Sequence, residues 1–294
     1  MHHPLCRHPA DTDQCNYTIF ELVFWELSPK SAWNLLYNDA IFLSKRGYAL
    51  VNLSVNVNKI ALLRNSRGGD RPDLLGAART CIETGCQGIT VHPRPDERHI
   101  RRKDVYELAK MLGSDFKEIE FNIEGYPSSD WLNLVCEVKP TQATLVPDDP
   151  NQLTSDHGWD LKSGRCDWLR AAIQRLKTHG IRVSLFLDPD VEQVESARTT
   201  NADRIELYTE RYAKTYGTNH GTAVYADYVG AAQRAQAIGL GLNAGHDLNL
   251  DNLRHFSENI PGLLEVSIGH ALVCDALEMG LVPAVKAYLK TLNP

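Results

Sequence analysis

From residue 53 onward, short β-branched runs alternate with longer stretches of helical period, and a chain built this way is committed to parallel strands joined by helical crossovers. Eight strand candidates can be counted, at residues 53–58, 88–92, 119–124, 143–147, 182–188, 204–209, 241–246 and 264–269. Pro72 suits the start of the first helix, where no N–H is needed. Gly85 suits its end, with Gly113, Gly180 and Gly239 as similar stops. Eight uninterrupted units favour closure into an α/β (β/α)8 TIM barrel with extra helices over an open doubly wound sheet, and no GxGxxG follows the first strand. The interval 148–165, after the fourth strand, is long enough to expect a functional loop or lid.

Residues 1–50 fall outside this rhythm, with scattered histidines and cysteines and only a mildly helical stretch at 31–43. The expected organisation is therefore an N-terminal extension of unknown role, 1–50, before a catalytic barrel, 51–294. The extension is expected to take no part in the chemistry; a start codon set too far upstream would produce such a segment. Its apolar run, 17–27, carries Glu21 and Glu26 and follows no basic region, so neither an export signal nor a membrane span is expected.

A formal charge of −6 and the lack of any Lys/Arg-rich run argue against nucleic acid as a partner, since such binding needs a basic stripe to displace phosphate counterions. The balance of 43% hydrophobic and 23% charged residues suits a globular chain with a large core, leaving small molecules as the expected partners. Seven cysteines form no CxxC pair and suggest no disulfide framework, which points to reduced thiols and a cytoplasmic protein.

In barrels of this kind the active site lies at the C-terminal ends of the strands. Here those ends carry Asn56 and Asn58, His92 and Arg94, Asn122 and Glu124, Asp188, Glu206, Asn243 and His246, and His270. Each alone is weak evidence, but a barrel serving only as a core has no reason to place acids, bases and a guanidinium at equivalent positions of successive units. His92, Glu124 and His246 are candidates for acid and base work. Arg67, Arg94 and His99 are suited to phosphate or hydroxyl oxygens. Arg98, Arg101 and Arg102 read as a solvated helix start. The turns 243–246 and 267–270 each place glycine before histidine after the last two strands, where barrels commonly hold a phosphate on backbone N–H groups.

A catalytic metal is not expected. The first strand offers Asn-Val-Asn rather than an HxH pair, and the neighbouring arginines would repel a cation.

Four stretches carry a resemblance to a known family: Ser54-Val-Asn-Val-Asn-Lys-Ile-Ala-Leu-Leu-Arg-Asn-Ser-Arg-Gly68, Gly88-Ile-Thr-Val-His-Pro-Arg-Pro-Asp-Glu-Arg-His-Ile100, Asn243-Ala-Gly-His-Asp-Leu248 and Ile268-Gly-His-Ala271. They resemble the pyridoxine 5′-phosphate synthases of vitamin B6 biosynthesis, in order and across nearly the whole barrel. The resemblance implies condensation of 3-amino-2-oxopropyl phosphate with 1-deoxy-D-xylulose 5-phosphate to pyridoxine 5′-phosphate, phosphate and water. It implies no cofactor, because no electrons pass between enzyme and substrate and the substrate itself brings the amine. Carried over by position, His92 and Glu124 match proton acceptors, His246 a proton donor and Glu206 a transition-state stabiliser. Asn56, Arg67, Asp247, Gly269 and His270 match contacts to the amino-ketone phosphate, and Arg94, His99 and Thr154 contacts to the pentulose phosphate. Asn58 and Lys59 stand where some relatives have an Asp-His pair, and as substrate contacts they can bring neither a carboxylate nor a neutral imidazole. The resemblance also implies a homo-octamer. Two other readings stand beside it: a phosphosugar aldolase using Lys59 as an imine-forming lysine, and a non-catalytic barrel scaffold.

Overall fold

The structure, a computed structural model, describes residues 50–148, 152, 154–162 and 166–294. The N-terminal extension, apart from Leu50, and part of the 148–165 interval lie outside the described residues.

Eight parallel strands close into a barrel in chain order. They are β1 (Asn52–Asn56), β2 (Gly88–Val91), β3 (Glu120–Gly125), β4 (Gln142–Leu145), β5 (Arg182–Leu187), β6 (Arg204–Tyr208), β7 (Gly241–Gly245) and β8 (Leu263–Ile268). The ring is sealed where β1 pairs with β8, Ser54 opposite Ser267. Around it run α1 (Asn58–Asn65), α2 (Leu74–Thr84), α3 (Arg102–Asp115), α4 (Ser129–Val138), α5 (Asp167–Thr178), α6 (Val191–Arg198), α7 (Glu210–Thr215), α8 (Gly221–Ala237), α9 (Leu253–Asn259), α10 (His270–Met279) and α11 (Leu281–Leu292). Among the described residues no helix is long and apolar enough to cross a membrane. Cys81, Cys86, Cys136, Cys166 and Cys274 are free thiols.

The strands have a period of two that decides what the barrel can hold. Leu53, Val55, Ile89, Val91, Ile123, Val183 and Ile205 point outward and are fully buried under the helices. The alternate positions point into the lumen and, below the mouth, are mostly polar. Ser54 and Thr90 share a 2.7 Å hydrogen bond, and Asn122 bridges from Thr90 to the Thr144 hydroxyl. Deeper in the barrel, Arg182 pairs with Glu120, Arg204 donates to Asn243, and Asn243 donates to Glu265. Barrel interiors are commonly filled by branched aliphatic residues; this one is a column of polar groups below the mouth.

Three sequence expectations change. The first strand stops at Asn56, and Asn58 and Lys59 open the short helix α1 instead of ending a strand, because the Asn56 side chain accepts the Asn58 N–H at 3.1 Å and turns the chain. Pro72 precedes α2 by one further position; Asp73 is its cap and accepts the Leu75 N–H. Gly113 lies inside α3, which runs on to Asp115, whereas Gly85 does end α2, in the left-handed region at φ 115°. Gly180 and Gly239, at φ 78° and 73°, follow α5 and α8 as expected.

Candidate active site

The uppermost lumen positions come from all eight strand ends, in two layers of four from alternate strands. β1, β2 and β3 supply Asn56, His92 and Glu124; β4, β5 and β6 supply Val146, Phe186 and Tyr208; β7 and β8 supply Gly245 and Gly269. Thus one side of the mouth is acid and base, the next apolar, and the last bare backbone.

On the first side, His92 Nδ1 lies 3.9 Å from Glu124 Oε2, and Asn56 Nδ2 donates to the same oxygen at 3.4 Å. The Asn58 side-chain oxygen accepts the His92 N–H at 2.9 Å, so Asn58 fixes the backbone that carries the imidazole. Burial, then the charge of Arg94, holds His92 well below the usual histidine range; it is a neutral base at pH 7. Burial and the charge of Asp148 push Glu124 up to about 8, against the opposing pull of Arg94 and the Asn56 hydrogen bond. Glu206, one layer down on β6, is held well above the usual carboxylate range by burial and by Glu124. Gly245 on β7 leaves it room where it stands: a Cβ there would lie 2.3 Å from Glu206 Oε1.

Arg94 is buried and ion-paired to Asp148, and its Nη1 donates to the Gln152 carbonyl at 3.1 Å. Ser155 donates to the same Asp148 carboxylate at 2.7 Å, tying the loop after β4 to Arg94. Thr154, in that loop, is exposed. His99 faces His92 edge-on with ring centroids 6.0 Å apart; its Nδ1 accepts the Ile100 N–H, leaving Nε2 to carry the proton. Burial, then the charges of Arg94 and Lys59, push His99 down to about 4. The loop bearing His99 is itself held by α1: Asn65 donates to the carbonyls of Glu97, Arg98 and His99, while Arg64 pairs with the buried Asp104 and reaches the His99 carbonyl. A cavity of about 300 Å³ opens beside His92 and Arg94, walled by Tyr126, Trp131 and Leu134.

On the far side, the His246 ring packs against both Phe186 and Tyr208, at centroid distances of 5.3 and 5.1 Å. His246 and Asp247 both occupy the left-handed region, φ 78° and 59°, a strain of order 1–3 kcal/mol each for non-glycine residues. The turn is clamped by the Thr209 hydroxyl, which donates to the carbonyls of Gly245 and His246, and by Asn252, which donates to the Asp247 carbonyl. Burial lowers the His246 pKa, outweighing the carboxylates of Asp247, Asp148 and Glu210, which raise it. Gly269 caps α10, whose first residue is His270, so the free N–H groups of that helix face the mouth beside Asn56.

The family profile "Pyridoxal phosphate biosynthesis protein PdxJ" matches residues 53–294. The chain belongs to the PdxJ family. The pyridoxine 5′-phosphate synthase of Bacteroides thetaiotaomicron is 53% identical over 244 residues, covering 83% of this chain and 100% of the relative. That of Porphyromonas gingivalis is 53% identical over 239 residues, 81% of this chain and 98% of the relative. Among solved structures, a tryptophan synthase from Mycobacterium tuberculosis superposes with a TM-score of 0.56 at 12% identity, covering 83% of this chain and 93% of its own. A phosphoribosyl anthranilate isomerase superposes at 0.52 and 13% identity, with 83% and 98% covered. At such identities these two share the barrel alone.

Within this PdxJ barrel the residues expected from sequence gather at one mouth: Asn56, Asn58, His92, Arg94, His99, Glu124, Glu206, His246, Gly269 and His270. Lys59 stands in the first turn of α1, near enough for its charge to depress both His99 and His246. Arg67, after α1, and Asp247 are exposed. Among the described residues no cluster of three or more His, Cys, Asp or Glu side chains has metal-binding geometry. Sequence reasoning missed Asp148, Phe186 and Tyr208. A signal existed: counting by twos along the fourth, fifth and sixth strand candidates puts Val146, Phe186 and Tyr208 on the lumen side.

Proposed function

We propose that this PdxJ chain condenses 3-amino-2-oxopropyl phosphate with 1-deoxy-D-xylulose 5-phosphate to pyridoxine 5′-phosphate, as a metal-free acid and base catalyst. The observation that carries the reading is the gathering of a neutral imidazole, a carboxyl poised near neutrality and phosphate-binding groups around one barrel mouth. Ring formation moves a proton at nearly every step. The substrate ammonium must lose one to become a nucleophile, the resulting carbinolamine must lose water, and the closing steps strip a carbon-bound proton. His92, kept neutral, accepts protons; Glu124, at about 8, exchanges them in either direction near pH 7. Glu206, kept protonated, donates a hydrogen bond to an oxygen that gains charge. Burial lowers the His246 pKa, so an imidazolium there gives up its proton readily as water or phosphate departs.

The two phosphates have separate seats in this reading. The N–H groups at Gly269 and His270, with Asn56 and Arg67, suit the phosphate of the amino-ketone, and the Asp247 carboxylate suits its ammonium. Arg94, His99 and Thr154, with Asn58 and Lys59 nearby, suit the pentulose phosphate. The reading also carries a cytoplasmic homo-octamer. Leu62 and Leu63 on α1, with Leu277, Met279 and Val282 around the α10–α11 turn, are exposed apolar surface that self-association would cover.

The test is direct. Purified protein given both substrates should yield pyridoxine 5′-phosphate, identified by absorbance and mass. Substrate consumption without that product would overturn the assignment. Covalent labelling on borohydride reduction with the pentulose phosphate alone would return the chemistry to a lysine imine.

A further inference from the structure

The mouth of this lumen is polar or bare at every strand end but three. Val146, Phe186 and Tyr208, contributed by the adjacent strand ends of β4, β5 and β6, form a small apolar cluster separate from the main core, with relative exposures of 3%, 1% and 6%. Below them the lumen is polar, with Thr144, Ser184 and Glu206 at the preceding inward positions. Phe186 and Tyr208 pack at 5.3 Å between centroids, and both touch the ring of His246. Stability does not require them to be apolar, because the equivalent positions on β1 to β3 are Asn56, His92 and Glu124. An apolar patch at the mouth of an otherwise polar lumen suits an apolar part of a ligand.

Resting on the function proposed above, the substrates offer little that is apolar. The amino-ketone phosphate is an ammonium, a carbonyl and a phosphate on three carbons. The deoxypentulose phosphate carries oxygen on every carbon but one, its C1 methyl. We propose that Val146, Phe186 and the ring of Tyr208 form the subsite that seats this methyl, beside His246, and that they select a 1-deoxy-pentulose phosphate over the same sugar with a C1 hydroxyl. A hydroxyl there would leave water for the Val146 and Phe186 side chains, which offer it no partner, while the Tyr208 hydroxyl is engaged with Glu210. A hydrophobic pocket rejects an added hydroxyl by only about a hundredfold, so the selection is real but finite.

The geometry supplies a reason for the neighbours as well. The ketone carbon that receives the amine is bonded to this methyl, so seating the methyl against Phe186 and Tyr208 places the reacting carbon within the reach of His246. The same wall keeps the imidazole desolvated, and burial is the first cause of its lowered pKa.

The experiment compares 1-deoxy-D-xylulose 5-phosphate with D-xylulose 5-phosphate, the amino-ketone phosphate being saturating, in the wild type and in Val146→Thr and Val146→Ala. Val146→Thr keeps the shape and adds a hydroxyl; Val146→Ala adds room. The wild type should prefer the deoxy sugar in kcat/KM by about ten- to a hundredfold. In Val146→Thr that preference should fall about tenfold with the melting temperature within a few degrees, and in Val146→Ala it should fall by a smaller factor. If the hydroxylated sugar is not turned over, its inhibition constant against the deoxy sugar gives the same ratio.

A preference unchanged in both folded variants, or kcat lowered equally for both sugars, would overturn the methyl subsite and assign the wall to the forming ring. A wild type that makes no pyridoxine 5′-phosphate from the deoxy sugar would instead overturn the function on which the subsite rests.

Discussion

The two faces of the same eight strands obey different rules. Outward, Ile123, Val91 and Ala143 on neighbouring strands are fully buried under the helices and belong to the main hydrophobic core. Inward, Asn122 and Glu124 flank Ile123 on β3, yet sit among Thr90, Thr144, His92 and Asn56. The outer face is apolar, and its burial stabilises the barrel at about 25 cal/mol per Å². The inner face spends part of that stability on desolvating carboxyls: Glu206 and Glu265 are both held well above their ordinary range, burial being the largest cause. The barrel is therefore a fold whose stability and chemistry are separated by one residue of strand register.

The largest effect that could break this separation is on turnover. Glu124→Gln keeps the shape and the Asn56 neighbour but cannot exchange a proton, so kcat should fall by about 10²- to 10⁴-fold while melting temperature holds or rises. A near-native kcat, or an unfolded variant, would place Glu124 on the scaffold side.

One residue away the expectation reverses. Ile123→Ala removes outward packing and should cost about 2–5 kcal/mol of stability; kcat of the protein that remains folded should stay within a few fold. Denaturant unfolding alongside a specific-activity measurement checks both halves. A variant of full stability that had lost its turnover would erase the distinction between the faces.

A smaller effect concerns pH. Glu124 has a folded pKa of about 8, above that of a free carboxyl, so its protonated form contributes stability that is complete below about 4.5 and is lost as pH rises through about 8. The folded state then holds the proton in a window where the unfolded chain has released it. Melting temperature should therefore fall across that window more steeply in the wild type than in Glu124→Gln. Parallel curves would mean that Glu124 is ionised in the folded protein. His92 acts with the opposite sign, since its depressed pKa removes stability as pH falls below the ordinary histidine range.

The finest test lies at the rim. Asp148 is the charge that raises Glu124, and Arg94 is its ion-pair partner. Asp148→Asn should shift the acid limb of the kcat/KM profile to lower pH and raise KM for the pentulose phosphate, with kcat near its optimum changed little. An unmoved limb would show that Asp148 only anchors the loop.

Most of the architecture was legible in the residues taken in order. Strand and helix alternation is a local property, and eight repeats leave few ways to bury every helix face. The strand-end histidines and carboxyls were legible for the same reason, because a barrel brings equivalent positions of successive units together. The errors were local as well. Asn58 continued the β-branched run on paper, but the Asn56 side chain captures its N–H and starts a helix; Gly113 is a poor helix former that packing in α3 tolerates.

What the sequence by itself determined is the periodicity: a barrel, which faces of its strands are polar, and which groups could meet at its mouth. Only the tertiary structure decided their states and partners. Arg94 meets Asp148 from 54 positions away, His92 meets Glu124, and His246 packs on the Phe186 and Tyr208 pair from two other strands. A pKa depends on the water removed and the charges brought near, and both are set by contacts between residues far apart in the chain.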